Sequence, residues 1–169
     1  MKTILSSLLL LLSSSVAAEQ ASFEASLADP AWNGKTIPKG QQCNKFGGQG
    51  MTPRLSVRNI PTGSTAIVME YSDLSYAPMS QGGHGKIGYR PGTNLNIEIP
   101  SIAGHSFDLP ENFFLIAAQQ APQWDKAGAY LPPCSGGKGN QYQLTVKAIQ
   151  QNGSQQKVLA ETRIPLGLY

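Results

Sequence analysis

The chain is poor in the residues that carry most catalytic and metal chemistry: it has only two cysteines and two histidines among 169 residues. Cys43, Cys134, His84 and His105 stand apart, and no pair shows the short ligand spacing of a zinc site, so no metal is expected. No serine sits in a GxSxG-like elbow and neither cysteine has a histidine partner nearby in sequence. The activated nucleophile with its base that a hydrolase needs is therefore missing, and the chain is not expected to be an enzyme. The glycine-rich run from Cys43 to Gly50 lacks both the GxGxxG order and a following helical pattern, so it is expected to be a plain loop, and no cofactor is expected. Charge is sparse and mild, at 14% charged residues and a net +3, with basic groups scattered rather than gathered into a stripe. Nucleic acid is therefore not an expected partner. No segment carries a sustained helical stripe, an internal repeat or a shift of composition.

One long apolar segment is present, at the start. Met1 to Ala18 has a single Lys2, an apolar run from Leu8 to Leu12 extended by small residues, and Val16-Ala17-Ala18 before Glu19. This is the pattern of a secretory signal peptide over residues 1–18. Its apolar core is far shorter than the roughly 20 residues of a spanning helix, and no lipobox cysteine follows. A secreted or periplasmic chain with no membrane span after cleavage is expected. Removal of the leader leaves 169 − 18 = 151 residues, enough for one domain over 19–169.

What remains reads as strands and turns. Leu55 and Val57 alternate with Ser56 and Arg58, Pro61-Thr62-Gly63 supplies turn chemistry, and Thr65 to Tyr71 is rich in β-formers. Gly50 to Asp73 is thus expected to be a hairpin delivering polar groups to a sheet edge. Phe23 to Leu27 is a short strand. Leu95, Ile97 and Ile99 alternate with polar neighbours, and Phe113 to Ala118 is a continuous apolar run expected to be covered on both faces. The clearest strand places Tyr142, Leu144, Val146 and Ala148 on one face, followed by an Asn152-Gly153 turn. Val158 to Ile164 is a last strand or a short helix. The sum is a mainly-β sandwich with one or two short helices.

In order and type, these pieces resemble the phosphatidylethanolamine-binding protein or Raf kinase inhibitor-like family, in its bacterial exported branch. The resemblance runs from about Phe23 to Tyr169. It rests on Phe23, Trp32, Asn33-Gly34 and Ile37-Pro38, on Thr52-Pro53-Arg54-Leu55, and on the Pro61-Thr62-Gly63 turn. The segment Ala129 to Gly137 is similar to the family's Pro-rich rim, shortened, and Tyr142 matches the tyrosine of its His-Arg-Tyr. The resemblance implies a Greek-key β-sandwich. It also favours a disulfide between Cys43 and Cys134 over two unpaired buried thiols, an alternative that their spacing leaves open.

The resemblance further implies a small pocket built from Asp73, His84, Pro132, Pro133 and Tyr142 for an anionic or polar ligand such as a phosphate or a phospholipid head group. Three of the five have a plainer reading: Asp73 as a turn cap, His84 as an exposed loop histidine, Tyr142 as a core aromatic. The chain also departs from the family pattern. Tyr71 and Ser72 replace the first two residues of an Asp-Pro-Asp loop, and Asn140 and Gln141 replace a histidine and an arginine. Losing charge-assisted donors weakens anion binding. The pocket is therefore partly degenerate, and the alternative is a non-enzymatic interaction or inhibitor protein acting on an exported partner, its ligand pocket lost. His105 has no family counterpart and is expected to be a surface turn residue, while Trp32 and Trp124 are expected to be packing groups rather than ligand platforms.

Overall fold

A computed structural model describes residues 21–169; the leader expected over residues 1–18 lies outside them. Eight strands form two antiparallel sheets: β1 (Glu24–Leu27), β2 (Leu55–Arg58), β3 (Ala66–Asp73), β4 (Lys86–Tyr89), β5 (Ile97–Ile99), β6 (Phe113–Ala117), β7 (Gln141–Asn152) and β8 (Gln155–Leu168). One sheet runs β1-β2-β5 and the other β6-β4-β3-β7-β8. Two 3-10 turns, Asn44–Phe46 and Ala77–Met79, are the short helices expected, and Val158 to Ile164 is strand. Among the described residues no helix is long and apolar enough to cross a membrane.

The core lies between the sheets. Leu55, Val57 and Ile99 from one face Ile67, Met69 and Leu144 from the other, all nearly inaccessible to water. This apposition is what the period-two pattern encodes. The longest ladder joins β7 to β8 through the two-residue connection Gly153-Ser154, where Gly153 adopts φ +58° as a tight hairpin demands.

Two sequence expectations are overturned. The stretch Gly50–Asp73 is no hairpin at a sheet edge: β2 belongs to the three-stranded sheet, while β3 is the central strand of the five-stranded one, so the chain arches across the sandwich. Alternation and Pro-Gly turn chemistry are common to a hairpin and to such an arch; long-range pairing of β3 with β4 and β7 decides between them. Strand β6 is not covered on both faces either. Among the described residues it pairs only with β4, and Leu115 and Ile116 are 43% and 44% exposed. Its Phe114 ring lies over Gly88, where any Cβ would come within 2.1 Å of the ring.

Candidate functional site

Four loops meet at one end of β3 and β7. Cys43 and Cys134 are joined, tying the loop that carries Lys45 and Phe46 to the loop Ser135–Asn140. The last described residue reinforces the second loop. The backbone oxygen of Tyr169 accepts from Ser135 Oγ at 2.6 Å, Gly139 N at 2.8 Å and Asn140 N at 2.9 Å. Tyr169 also sets its ring edge-on to Phe46, with centroids 6.4 Å apart. The loop after β3 brings Ser75 and Tyr76, and a fourth brings Trp124, whose ring leans on Tyr76 with centroids 5.3 Å apart. Together they enclose an open cleft of about 510 Å³.

Asp73 forms part of its floor. The residue is 3% exposed and its carboxylate is fully engaged: Oδ1 accepts from Ser75 N at 2.9 Å and Oδ2 from Asn140 Nδ2 at 2.6 Å. The first bond is a turn cap of the kind Asp73 offers; the second ties the end of β3 to the loop residue just before β7. Asn140 thus serves as a neutral donor to the carboxylate where the family pattern has a histidine. Lys45 and Lys138 line the cleft, and neither is in an ion pair among the described residues.

Of the five residues expected to form a pocket, only Asp73 lines this cleft. Tyr142 lies one layer beneath. It is 3% exposed, pairs with Asp73 across the β3–β7 ladder, and its hydroxyl accepts from Cys134 N at 3.1 Å. Burial, only partly opposed by hydrogen bonds that include Ser135, pushes its phenol up to about 12. Pro132 and Pro133 are buried; the Pro132 ring packs against Gly50 and Gly104, where a Cβ would come within 2.5 and 2.4 Å of it.

His84 is a buried residue, not an exposed loop histidine, at 2% exposure. Its backbone is threaded between β3 and the rim, N–H donating to Tyr71 O at 3.0 Å and O accepting from Leu131 N at 2.8 Å. The following Gly85 is required, at φ +127° with a virtual Cβ only 2.2 Å from Ala129 O. His84 Nδ1 contacts the Leu131 carbonyl at 2.8 Å; a carbonyl only accepts, so Nδ1 carries the proton. The lone pair on Nε2 is enclosed without a hydrogen-bond partner among the described residues, and the imidazole stands edge-to-face with the Tyr142 ring at 5.3 Å between centroids. Burial holds the imidazole below its ordinary 6.5, against the Leu131 bond and the Asp73 charge, which act in the opposite sense. Tyr71, standing where the family has an aspartate, is a buried core residue: 2% exposed, its ring tilted against Tyr130 with centroids 4.7 Å apart, its hydroxyl donating to Met69 Sδ at 3.8 Å, and its pKa raised well above the ordinary value chiefly by burial.

His105 is also a correction. It is 6% exposed and takes φ +58°. Its Nδ1 lies 2.9 Å from Lys126 O, and its Nε2 accepts from Asn44 N at 3.3 Å while sitting 3.5 Å from Asp125 Oδ2. Asp125 also accepts from Lys45 N at 2.8 Å, so this pair clasps the Trp124 loop to the Lys45 loop. Burial would raise the Asp125 pKa, but backbone donors from Lys45 and Lys126 outweigh it and lower the value. Trp124, expected to be packing alone, both packs on the Met79–Leu131 cluster and lines the cleft; Trp32 is a core residue. No local sequence pattern marks Phe46, Tyr76, Trp124 and Asn140 as one group, because the four loops are brought together only by the sheets and the disulfide.

No protein-family model matches the chain, and no curated protein matches it. Among solved structures, E. coli YbcL, described as a new member of the mammalian PEBP family, superposes with a TM-score of 0.57 at 18% identity, covering 88% of this chain and 98% of its own. The phosphatidylethanolamine-binding protein homologue CT736 from Chlamydia trachomatis gives 0.52 at 16% identity, covering 88% and 97%. At such identities the likeness concerns the arrangement of strands. The chain has the fold of the phosphatidylethanolamine-binding proteins.

Proposed function

We propose that this is an exported binding protein that holds a small anionic or polar ligand in the cleft above Asp73. The observation that carries the reading is the charge arrangement: Lys45 and Lys138 face a cleft whose buried carboxylate already has donors on both oxygens. An incoming anion meets two cations without ion-pair partners among the described residues, while neutral donors on both oxygens of the recessed Asp73 carboxylate offset part of the repulsion from its charge. The disulfide and the leader pattern support export. Binding is favoured over catalysis because His84 and His105 contact backbone groups and Asp125, and among the described residues neither hydrogen-bonds to a hydroxyl or thiol. The names of the two structural neighbours suggest phosphoethanolamine as a first probe.

The test is an NMR titration of the oxidised protein with inorganic phosphate and phosphoethanolamine, following the Trp124 indole and the Asn140 side-chain amide. Saturable shifts that Lys45→Met with Lys138→Met abolishes are the expected result. Absence of shifts at millimolar ligand defeats the reading. The second reading, an interaction surface for an exported protein, would then stand, supported by Phe46 and Tyr76, which are 39% and 42% exposed in the same cleft.

A further inference from the structure

The walls of the cleft carry chemistry that a bare anion would not use. Three aromatic side chains line it, Phe46, Tyr76 and Trp124, each from a different loop. Phe46 and Tyr76 leave about two-fifths of their surface in water, at 39% and 42% exposure. Each ring is fixed by what lies beside it. Phe46 rests on Tyr169 and on Gly136, where a Cβ would come within 2.8 Å of the ring, and Tyr76 and Trp124 lean together at 51°. Trp124 is further seated against the buried Met79–Leu131 cluster. Aromatic surfaces fixed in advance lose little conformational freedom when a ligand stacks on them.

Cation and ring are also adjacent. Lys45 Nζ lies 5.9 Å from the Phe46 centroid, and Lys138 lines the same space. The volume of about 510 Å³ is large for a phosphate ion and falls within the roughly 300–1,000 Å³ of small-molecule pockets.

Building on the anion-binding reading above, we propose that the ligand is an aromatic anion: a flat unsaturated ring bonded to a phosphate or carboxylate. The ring stacks among Phe46, Tyr76 and Trp124, and the charged group meets Lys45 and Lys138. The edge-positive, face-negative charge distribution of these side chains favours a second flat ring over a saturated one of equal size.

The test compares inorganic phosphate, cyclohexyl phosphate, phenyl phosphate and benzoate on the oxidised protein, by calorimetry and by quenching of Trp124 fluorescence. Phenyl phosphate is expected to bind at least tenfold tighter than phosphate and about three- to tenfold tighter than cyclohexyl phosphate. Phe46→Ala, at a partly exposed position, is expected to lower the preference for phenyl phosphate over inorganic phosphate by about three- to tenfold. Trp124→Phe, which keeps a ring, serves as the fluorescence control. Benzoate separates the two charged groups: binding comparable to phenyl phosphate assigns a carboxylate as readily as a phosphate. Equal affinity for phosphate and phenyl phosphate overturns the aromatic assignment and leaves the anion reading standing. Equal affinity for the cyclohexyl and phenyl compounds overturns it in favour of an apolar body of any shape. Failure of all four to bind defeats both.

Discussion

The side-chain amide of Asn140 donates to the buried carboxylate of Asp73 across 2.6 Å, joining the residue just before β7 to the last residue of β3. Removing the donor with Asn140→Ala leaves a buried oxygen short of a partner and is expected to cost about 1–3 kcal/mol in urea unfolding. Asn140→Asp places two carboxylates in contact, so its loss of stability is expected to be larger at pH 7 than at pH 4, where a shared proton relieves the repulsion. Equal losses at both pH values would mean that the two side chains separate in solution.

His84 predicts an acid limit. Its folded-state pKa lies below the ordinary 6.5 because burial penalises the charged ring. As pH falls below 6.5 the unfolded chain takes up a proton that the folded chain refuses, so stability drops with falling pH, by at most about 1.4 kcal/mol per pH unit from this group. The contribution is fully present above pH 6.5. His84→Gln is expected to flatten the stability profile between pH 6.5 and 5.5; an unchanged slope would remove His84 as its source.

The disulfide spans 91 residues of sequence. In the chain-entropy model a loop of that length stabilises by about 4–5 kcal/mol, so Cys43→Ser with Cys134→Ser is expected to lose an amount approaching that value in urea unfolding. Mass spectrometry after alkylation under denaturing conditions is expected to find no free thiol until a reductant is added.

The exposed edge of β6 predicts tolerance. Leu115→Lys and Ile116→Lys place a charge in water and are expected to change stability by less than about 0.5 kcal/mol, while raising the concentration at which the protein stays monodisperse. Gly88→Ala, on the neighbouring strand, is expected to push aside the tip of the partly buried Phe114 ring that its methyl meets, at a cost of about 1–3 kcal/mol.

Most strands are legible in the sequence because a half-buried strand must alternate, as Leu144, Val146 and Ala148 do in β7. The partner of each strand is not. Leu55–Val57 and Ile67–Met69 carry the same pattern whether they pair in one sheet or face each other across two, and the structure takes the second course. Phe113 to Ala117 shows the converse: an apolar run marks a strand but not its covering, which depends on what packs against each face. At the site, Asp73 was found through its neighbours and its turn, whereas Phe46, Tyr76 and Trp124 sit in loops without periodicity. Tyr71 illustrates a further limit. It stands where the resemblance has a pocket aspartate, yet its ring is buried against Tyr130, with centroids 4.7 Å apart.

The cleft draws its lining from segments as far apart as Lys45 and Asn140, and the only covalent link between them closes a 91-residue loop. Such a site has a high contact order: no fragment of the chain contains it, and it comes into being only once nearly the whole domain has condensed. Occupancy is consequently linked by mass action to global folding, so a ligand held at one hundred times its dissociation constant would stabilise the entire sandwich by about 2.7 kcal/mol. A rise in melting temperature is then a direct readout of cleft occupancy, even for a compound whose identity is not yet known.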